Sequence, residues 1–255
     1  YKEKSSLTQL IKQTNVITNE CGRSAYLIAS LFRINKFFPL KNIDIIELGS
    51  SIGLNLLFKE YLFCFIDEAG EKRFFGKKNS MIIIETSVFD GFFNRIKPFS
   101  LNNDFVIHQA LGVDNTLMEF NKINSLDWQK ALVWPGQYKR IERLELAFKI
   151  YKKLSPQIID IEIEEYLKKI ENDCHLENTL VFFSSYVFKQ MESRRSQITK
   201  ILSRLSKKRN IINIVVDYIQ NGKSAIYIYI FMNGKIFYKE KFGHCDSHGD
   251  AITKK

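Results

Sequence analysis

Cysteine is scarce and scattered. Cys21, Cys64, Cys174 and Cys245 are the four in 255 residues, and no two form a CxxC pair. That pattern excludes a disulfide framework and leads us to expect the reduced thiols of a cytoplasmic protein. Proline and glycine are also few, four and twelve, and they do not cluster. No linker, repeat or low-complexity segment interrupts the chain, so a single domain over residues 1–255 is expected. No apolar run approaches the ~20 residues of a membrane helix. The longest, Ala225 to Met232, alternates aromatic and aliphatic residues in the manner of a strand. No membrane span is expected, and no basic-then-apolar signal segment is visible. Isoleucine, leucine, valine and phenylalanine are nonetheless too abundant for a disordered polyelectrolyte, so the chain folds around a core.

Acidic residues are outnumbered, 28 against 38 lysines and arginines, for a net charge of +10. The excess is local. Lys189, Arg194, Arg195, Lys200, Arg204, Lys207, Lys208 and Arg209 share one stretch with a single acid, Glu192. There Ile198, Ile201, Leu202 and Leu205 recur at helical spacing, so the stretch reads as a basic amphipathic helix. Such a helix attracts anionic substrates, nucleic acid or a membrane surface. Its plainer reading, a solvated helix face, outweighs these, because no aromatic interleaving or nucleic-acid motif accompanies the charge.

Residues 4–13 and 19–33 read as helices, and Ile43 to Leu48 as a buried strand ending at a glycine. Leu54 to Tyr61 reads as helical. Tyr61 to Ile66 and Met81 to Glu85 suggest a β-excursion over 61–104. Asp104 to Val113 contains a strand, Gln137 to Lys153 is an amphipathic helix, Gln157 to Ile163 a strand and Glu164 to Glu171 a helix. Thr179 to Ser184 is a strand, and Ser193 to Lys207 the basic helix. Three strand-like runs, Ile211–Tyr218, Ser224–Phe231 and Lys235–Glu240, are separated by Asn221-Gly222 and Asn233-Gly234, the strongest short hairpin signal. Helices alternating with strands and then a meander imply an α/β fold, its mostly parallel sheet closed by an antiparallel C-terminal edge.

The most informative segment runs from Ile43 through Glu47-Leu48-Gly49-Ser50-Ser51-Ile52-Gly53-Leu54-Asn55. A strand, a small-residue turn and a helix follow one another, which lets a ligand approach bare backbone. A dinucleotide fingerprint GxGxxG would need glycine at 49, 51 and 54, and only Gly49 fits. Gly49-x-Ser51-x-Gly53 spells the nucleophile elbow of a serine hydrolase, with His244 or His248 downstream. Yet only about forty mostly helical residues precede it, and no oxyanion loop is present. The methyltransferase pattern, acid-x-Gly-x-Gly-x-Gly, fits better, with Glu47, Gly49 and Gly53 in place and Ser51 as a small substitute for the middle glycine.

Two further acids follow in order. Asp114, after Gly112-Val113, stands where a carboxylate would accept both ribose hydroxyls. Its distance from Gly53 is about three times the usual ~20 residues, which makes 61–104 an insertion. Asp160 and Glu162, alternating on one side of the next strand, are candidates to border an adenine. His244-Cys245-Asp246-Ser247-His248 gathers two imidazoles and a thiol but has no distant partner at zinc spacing, so no metal is expected.

With their neighbours, these residues resemble a bacterial family catalogued as domain of unknown function 2332, grouped with S-adenosylmethionine-dependent methyltransferase-like folds. The matching blocks are Thr18 to Ala25, Glu47 to Leu56, Ala131 to Gln137 with Arg140 and Arg143-Leu144, and His248-Gly249. The resemblance implies a Rossmann-like class I methyltransferase fold, with residues 1–40 as a helical cap. It implies S-adenosylmethionine as cofactor, held by Glu47, Gly49, Ser50, Ser51, Gly53, Asn55, Asp114 and Asp160 or Glu162, with Glu20 and Arg23 capping the pocket. Tyr186, after the fourth parallel strand, and His248, a general base of near-neutral pKa, are expected on the side of an unidentified, anionic acceptor. Ser184-Ser185-Tyr186 is not the Asn-Pro-Pro-Tyr motif of base methylation, which weakens a nucleic-acid acceptor. A catalytically inactive binding module and a hydrolase using Ser51 are the alternative functions.

Overall fold

The computed structural model describes residue 8 and residues 19–99, 106–115, 125–172, 178–188, 194–219 and 223–254. Apart from Thr8, the helix expected over 4–13 lies outside them, as does the Asn221-Gly222 turn. The strands are β1 (Asn42–Leu48), β2 (Leu62–Ile66), β3 (Lys72–Gly76), β4 (Ile83–Val88), β5 (Val106–Asp114), β6 (Gln157–Asp160), β7 (Thr179–Ser185), β8 (Ile211–Tyr218), β9 (Ser224–Met232), β10 (Lys235–Cys245) and β11 (Ala251–Thr253). The helices are α1 (Ser24–Asn35), α2 (Phe92–Arg95), α3 (Ser125–Ala131), α4 (Tyr138–Leu154), α5 (Ile163–Glu171) and α6 (Arg195–Leu205). Two 3-10 segments, Cys21–Arg23 and Leu54–Glu60, complete the set.

All these strands join one sheet in the order β3-β2-β4-β11-β10-β9-β8-β7-β1-β5-β6. The fold is thus mixed α/β with a mostly parallel sheet. β1, buried at every position but its first, sits between β5 and β7 and runs parallel to both. Ile43 and Ile45 face one core with α1 and α4, while Ile46 and Leu48 face the other with α5 and α6. That two-sided burial explains why β1 reads as an unbroken apolar run rather than an alternating one.

Helix α1 is apolar nearly all round and is buried accordingly. It reaches β8 at one end of the contact and Phe75 of β3 at the other, the Phe32 and Phe75 rings lying 4.9 Å apart. In a flat sheet those two strands would be roughly 29 Å apart, six spacings of ~4.8 Å. The sheet therefore curls around α1.

The expected antiparallel C-terminal edge is not an edge. Strand β11 pairs antiparallel to β10 (Cys245↔Ile252) and parallel to β4 (Ile252↔Val88), so strands from 62–88 continue the sheet past the meander. A three-residue strand carries no periodic signal, which hid this link. The Asn233-Gly234 turn between β9 and β10 takes two positive φ angles, 51° and 79°, as the hairpin requires. Two boundaries also change. The helix after the glycine turn is 3-10, and the strand expected over 157–163 stops at Asp160, where α5 begins three residues on.

Candidate functional site

Strand order reverses at β1: the chain passes to β5 and β6 on one side, then returns to β7 and β8 on the other. Open α/β sheets bind ligands at the carboxyl ends of strands at such a reversal. The glycine turn occupies that position. Gly49, Ser51 and Gly53 all have positive φ (72°, 50° and 78°), and the strained residue is Ser51, which carries a side chain. Two contacts hold it there: its amide donates to Asp114 Oδ2 at 2.7 Å, and its hydroxyl accepts from Asn19 Nδ2 at 2.8 Å. Ser50 lies over Gly112 of β5, where any Cβ would come within 2.2 Å of the Ser50 Oγ.

At the end of β1 the Glu47 carboxyl is 2% exposed. Its Oε1 accepts from Asn55 Nδ2 at 2.8 Å, while Glu47 Oε2 and Asn55 Oδ1 are buried and have no hydrogen-bond partner among the described residues. Burial pushes the Glu47 pKa up to about 8, against the lowering pull of the Asn55 amide and of Arg23; Asp114 adds to the rise. Across the reversal, Tyr186 follows β7 with φ of 62° and donates its hydroxyl to the Asp246 carbonyl at 2.7 Å. The Arg23 guanidinium lies 4.6 Å from its ring centroid. Burial pushes the Tyr186 phenol up to about 12, so it stays protonated. Val187 packs against Gly49, with a methyl group 2.4 Å from where a Cβ would stand.

Beside the turn lies a network that joins three distant stretches of chain. Glu20 Oε2 accepts from Arg140 Nε at 2.7 Å and Oε1 from Arg143 at 2.8 Å, all three side chains being nearly buried. Arg143 also donates to the His248 carbonyl, and Arg23 to the Ser247 carbonyl. The Asp246 carboxylate organises the closing loop: Oδ1 accepts from the Tyr26 hydroxyl at 2.7 Å and from the amides of His248 and Gly249. Backbone meets backbone here, for a Cβ on Gly249 would stand 2.1 Å from the Gly22 carbonyl oxygen.

The structure thus brings Glu47, Gly49–Gly53, Asn55 and Asp114 together, with Glu20, Arg23, Tyr186 and His248 gathered beside them. Among the described residues His248 Nδ1 has no hydrogen-bond partner, and it lies 3.9 Å from Glu20 Oε2. Burial and the Arg140 charge lower its pKa, against the raising pull of Glu20 and Asp246, so the ring is neutral at pH 7. Asp160, exposed on β6, pairs in register with Asp114. Glu162 lies past the strand end as the N-cap residue of α5 and hydrogen-bonds Asn115, so Asp160 and Glu162 do not share one strand side. Ser51 has no imidazole on its hydroxyl among the described residues. Groups of histidine, cysteine and carboxylate able to hold a metal are likewise absent among the described residues.

Three important groups escaped sequence reasoning. Tyr26 and Val187 stand in no motif, and nothing in the local sequence marks either of them. Asp246 could have been found, since Asp two residues before a His-Gly pair suits a turn in which the carboxylate caps backbone amides.

A curled, mixed α/β sheet with a glycine turn at its order reversal, stitched by a buried carboxylate–diarginine network, defines the class of protein. Residues 1–254 match the model of a family described as "Uncharacterized protein conserved in bacteria (DUF2332)", and the chain belongs to that family. No curated protein and no solved structure matches it.

Proposed function

We propose that this chain binds S-adenosylmethionine over the Gly49–Gly53 turn and transfers its methyl group to an acceptor not yet identified. The observation that carries this reading is a pair of buried polar atoms at the turn, Glu47 Oε2 and Asn55 Oδ1, that find no hydrogen-bond partner among the described residues; a bound ammonium would also supply the positive charge that ionises Glu47. Buried polar atoms are rarely left unpaired, and an ammonium group supplies the donors they lack. Support also comes from the order β6-β5-β1-β7-β8, which in chain order is the 3-2-1-4-5 arrangement of dinucleotide-binding sheets.

When bound, the cofactor supplies an electrophilic methyl group on a sulfonium. The chain's part is positional. Glu47 and Asn55 would take the amino group, and Asp114, at the end of β5, would hold the ribose. His248, neutral and half-buried, accepts the proton released by the acceptor. Alignment of this kind supplies ~7 kcal/mol or more of the barrier reduction.

A binding module without transfer is the second reading. Both readings require a ligand to fit beside two contacts already made at the turn, the Ser51 amide on Asp114 and the Val187 methyls on Gly49. Thermal melting with S-adenosylhomocysteine tests the first step, since a ligand at a hundred times its dissociation constant stabilises by about 2.7 kcal/mol. Absence of any shift removes both readings. A shift without transfer of labelled methyl to any lysate fraction leaves the module.

A further inference from the structure

The other face of the sheet carries a feature that this site does not use. Along β9, Tyr227, Tyr229 and Phe231 alternate onto the α6 side as a ladder of rings, with centroids 6.4 and 6.5 Å apart and planes inclined by 24° and 34°. Phe231 is buried in the core beneath α6, whereas Tyr227 and Tyr229 remain partly exposed. They line an open cavity of about 470 Å³ whose walls include Arg195 of α6, Asp217 of β8 and Lys239 of β10.

The charge bordering the rings is positive. Across the β9–β10 ladder, Lys239 pairs with Tyr229 and Lys241 with Tyr227. Lys239 Nζ stands 5.7 Å from the Tyr229 centroid, near the ~6 Å limit of a cation–π contact, so it does not clamp the ring. Asp217, the one acid among the described residues of the wall, is 1% exposed and compensated by Arg195 at 3.1 Å and the Tyr218 amide at 2.8 Å. The Arg195 side chain is half-exposed even so. Helix α6 reads as basic without aromatic partners in sequence; in space β9 supplies them.

We infer that this face of β8–β10 binds single-stranded nucleic acid. The two partly exposed tyrosine rings offer surfaces for stacking to unpaired bases of any identity, and flanking cations neutralise the phosphates. A duplex hides its base faces and gains only the charge term. The inference is independent of the cofactor reading, because the rings lie on the opposite face of the sheet from Glu47.

Fluorescence anisotropy of the full chain with a labelled oligouridylate tests it. The single strand binds, and the logarithm of its affinity falls linearly with log salt. Tyr229→Ala weakens binding roughly tenfold, the scale of one lost base–aromatic stack. Tyr229→Phe, which keeps the ring, binds as the parent does, and Lys239→Glu, an exposed change that leaves folding intact, weakens binding severalfold. Any of four results overturns the inference: no anisotropy change at low salt, parental binding by both Tyr229→Ala and Lys239→Glu, equal affinity for the duplex, or displacement of the strand by a mononucleotide.

Discussion

Glu20 and Arg140, 120 residues apart in the chain, meet at 2.7 Å as side chains only 5% and 8% exposed. Arg143 closes the other carboxylate oxygen. Arg143 also reaches Asp250 at 3.1 Å and Arg140 reaches Gln137, but Glu20 is the carboxylate that joins both arginines of α4 to the 3-10 turn at Cys21–Arg23.

Glu20→Ala is therefore expected to destabilise the protein by about 3–5 kcal/mol, the cost of stranding buried charge. Glu71→Ala, which removes the exposed Arg73–Glu71 pair, is the control and costs at most ~1 kcal/mol. Urea denaturation distinguishes them; equal effects would show that Glu20 is solvated in the native state.

Stability should depend on pH through Glu47. Its buried carboxyl keeps a proton up to about pH 8, whereas an unfolded glutamate releases it near 4.5. Between those values the unfolded state holds fewer protons, so the stability present below pH 4.5 is lost as pH rises towards 8. Glu47→Gln keeps the bond from Asn55 and removes the titration. The advantage of the variant over the parent should grow from pH 5 to pH 8, to the order of 3 kcal/mol. A constant difference across that range would mean that Glu47 is ionised when folded.

Gly249→Ala should be far more damaging than Gly91→Ala, although both glycines have positive φ. A methyl at 91 meets nothing within 4 Å, so that change carries only the left-handed backbone cost of about 1–2 kcal/mol. At 249 the methyl collides with the Gly22 backbone at 2.1 Å and would part the closing loop from the 3-10 turn. Melting temperatures of the two variants decide the matter, and similar values would refute the close approach.

Asp246→Ala should cost more than Tyr26→Phe. The phenylalanine variant loses the hydroxyl that donates to Asp246 and accepts from the Gly249 amide, about 1–3 kcal/mol. The alanine variant strips the acceptor from Tyr26 and from the amides of His248, Gly249 and Asp250 together. Amide exchange at 248 and 250, whose amides donate to Asp246 and not to Tyr26, should accelerate in Asp246→Ala alone among the two.

Much of the sheet could be read before the structure. β1, β7, β8 and β9 are apolar runs bounded by glycine, asparagine or charge, and α4 shows helical spacing; these signals lie within a few residues. The Glu47-x-Gly49 turn was legible for the same reason, because its positive φ angles call for glycine at two of three places. Ser51 hid the third, tolerated only because Asp114 and Asn19 hold it.

Local pattern, then, settled the long strands and helices and where the backbone must bend sharply, since their burial repeats along the chain; the short β3, β11, α2 and α3 carry too few residues to show a period. Tertiary structure alone decided that β11 would tie β4 to β10, that Glu20 would find Arg140 and Arg143, and that the rings of β9 would lie beside Arg195. Such meetings depend on how the sheet curls and on which charges burial leaves no alternative but to pair, and neither leaves a period in the sequence.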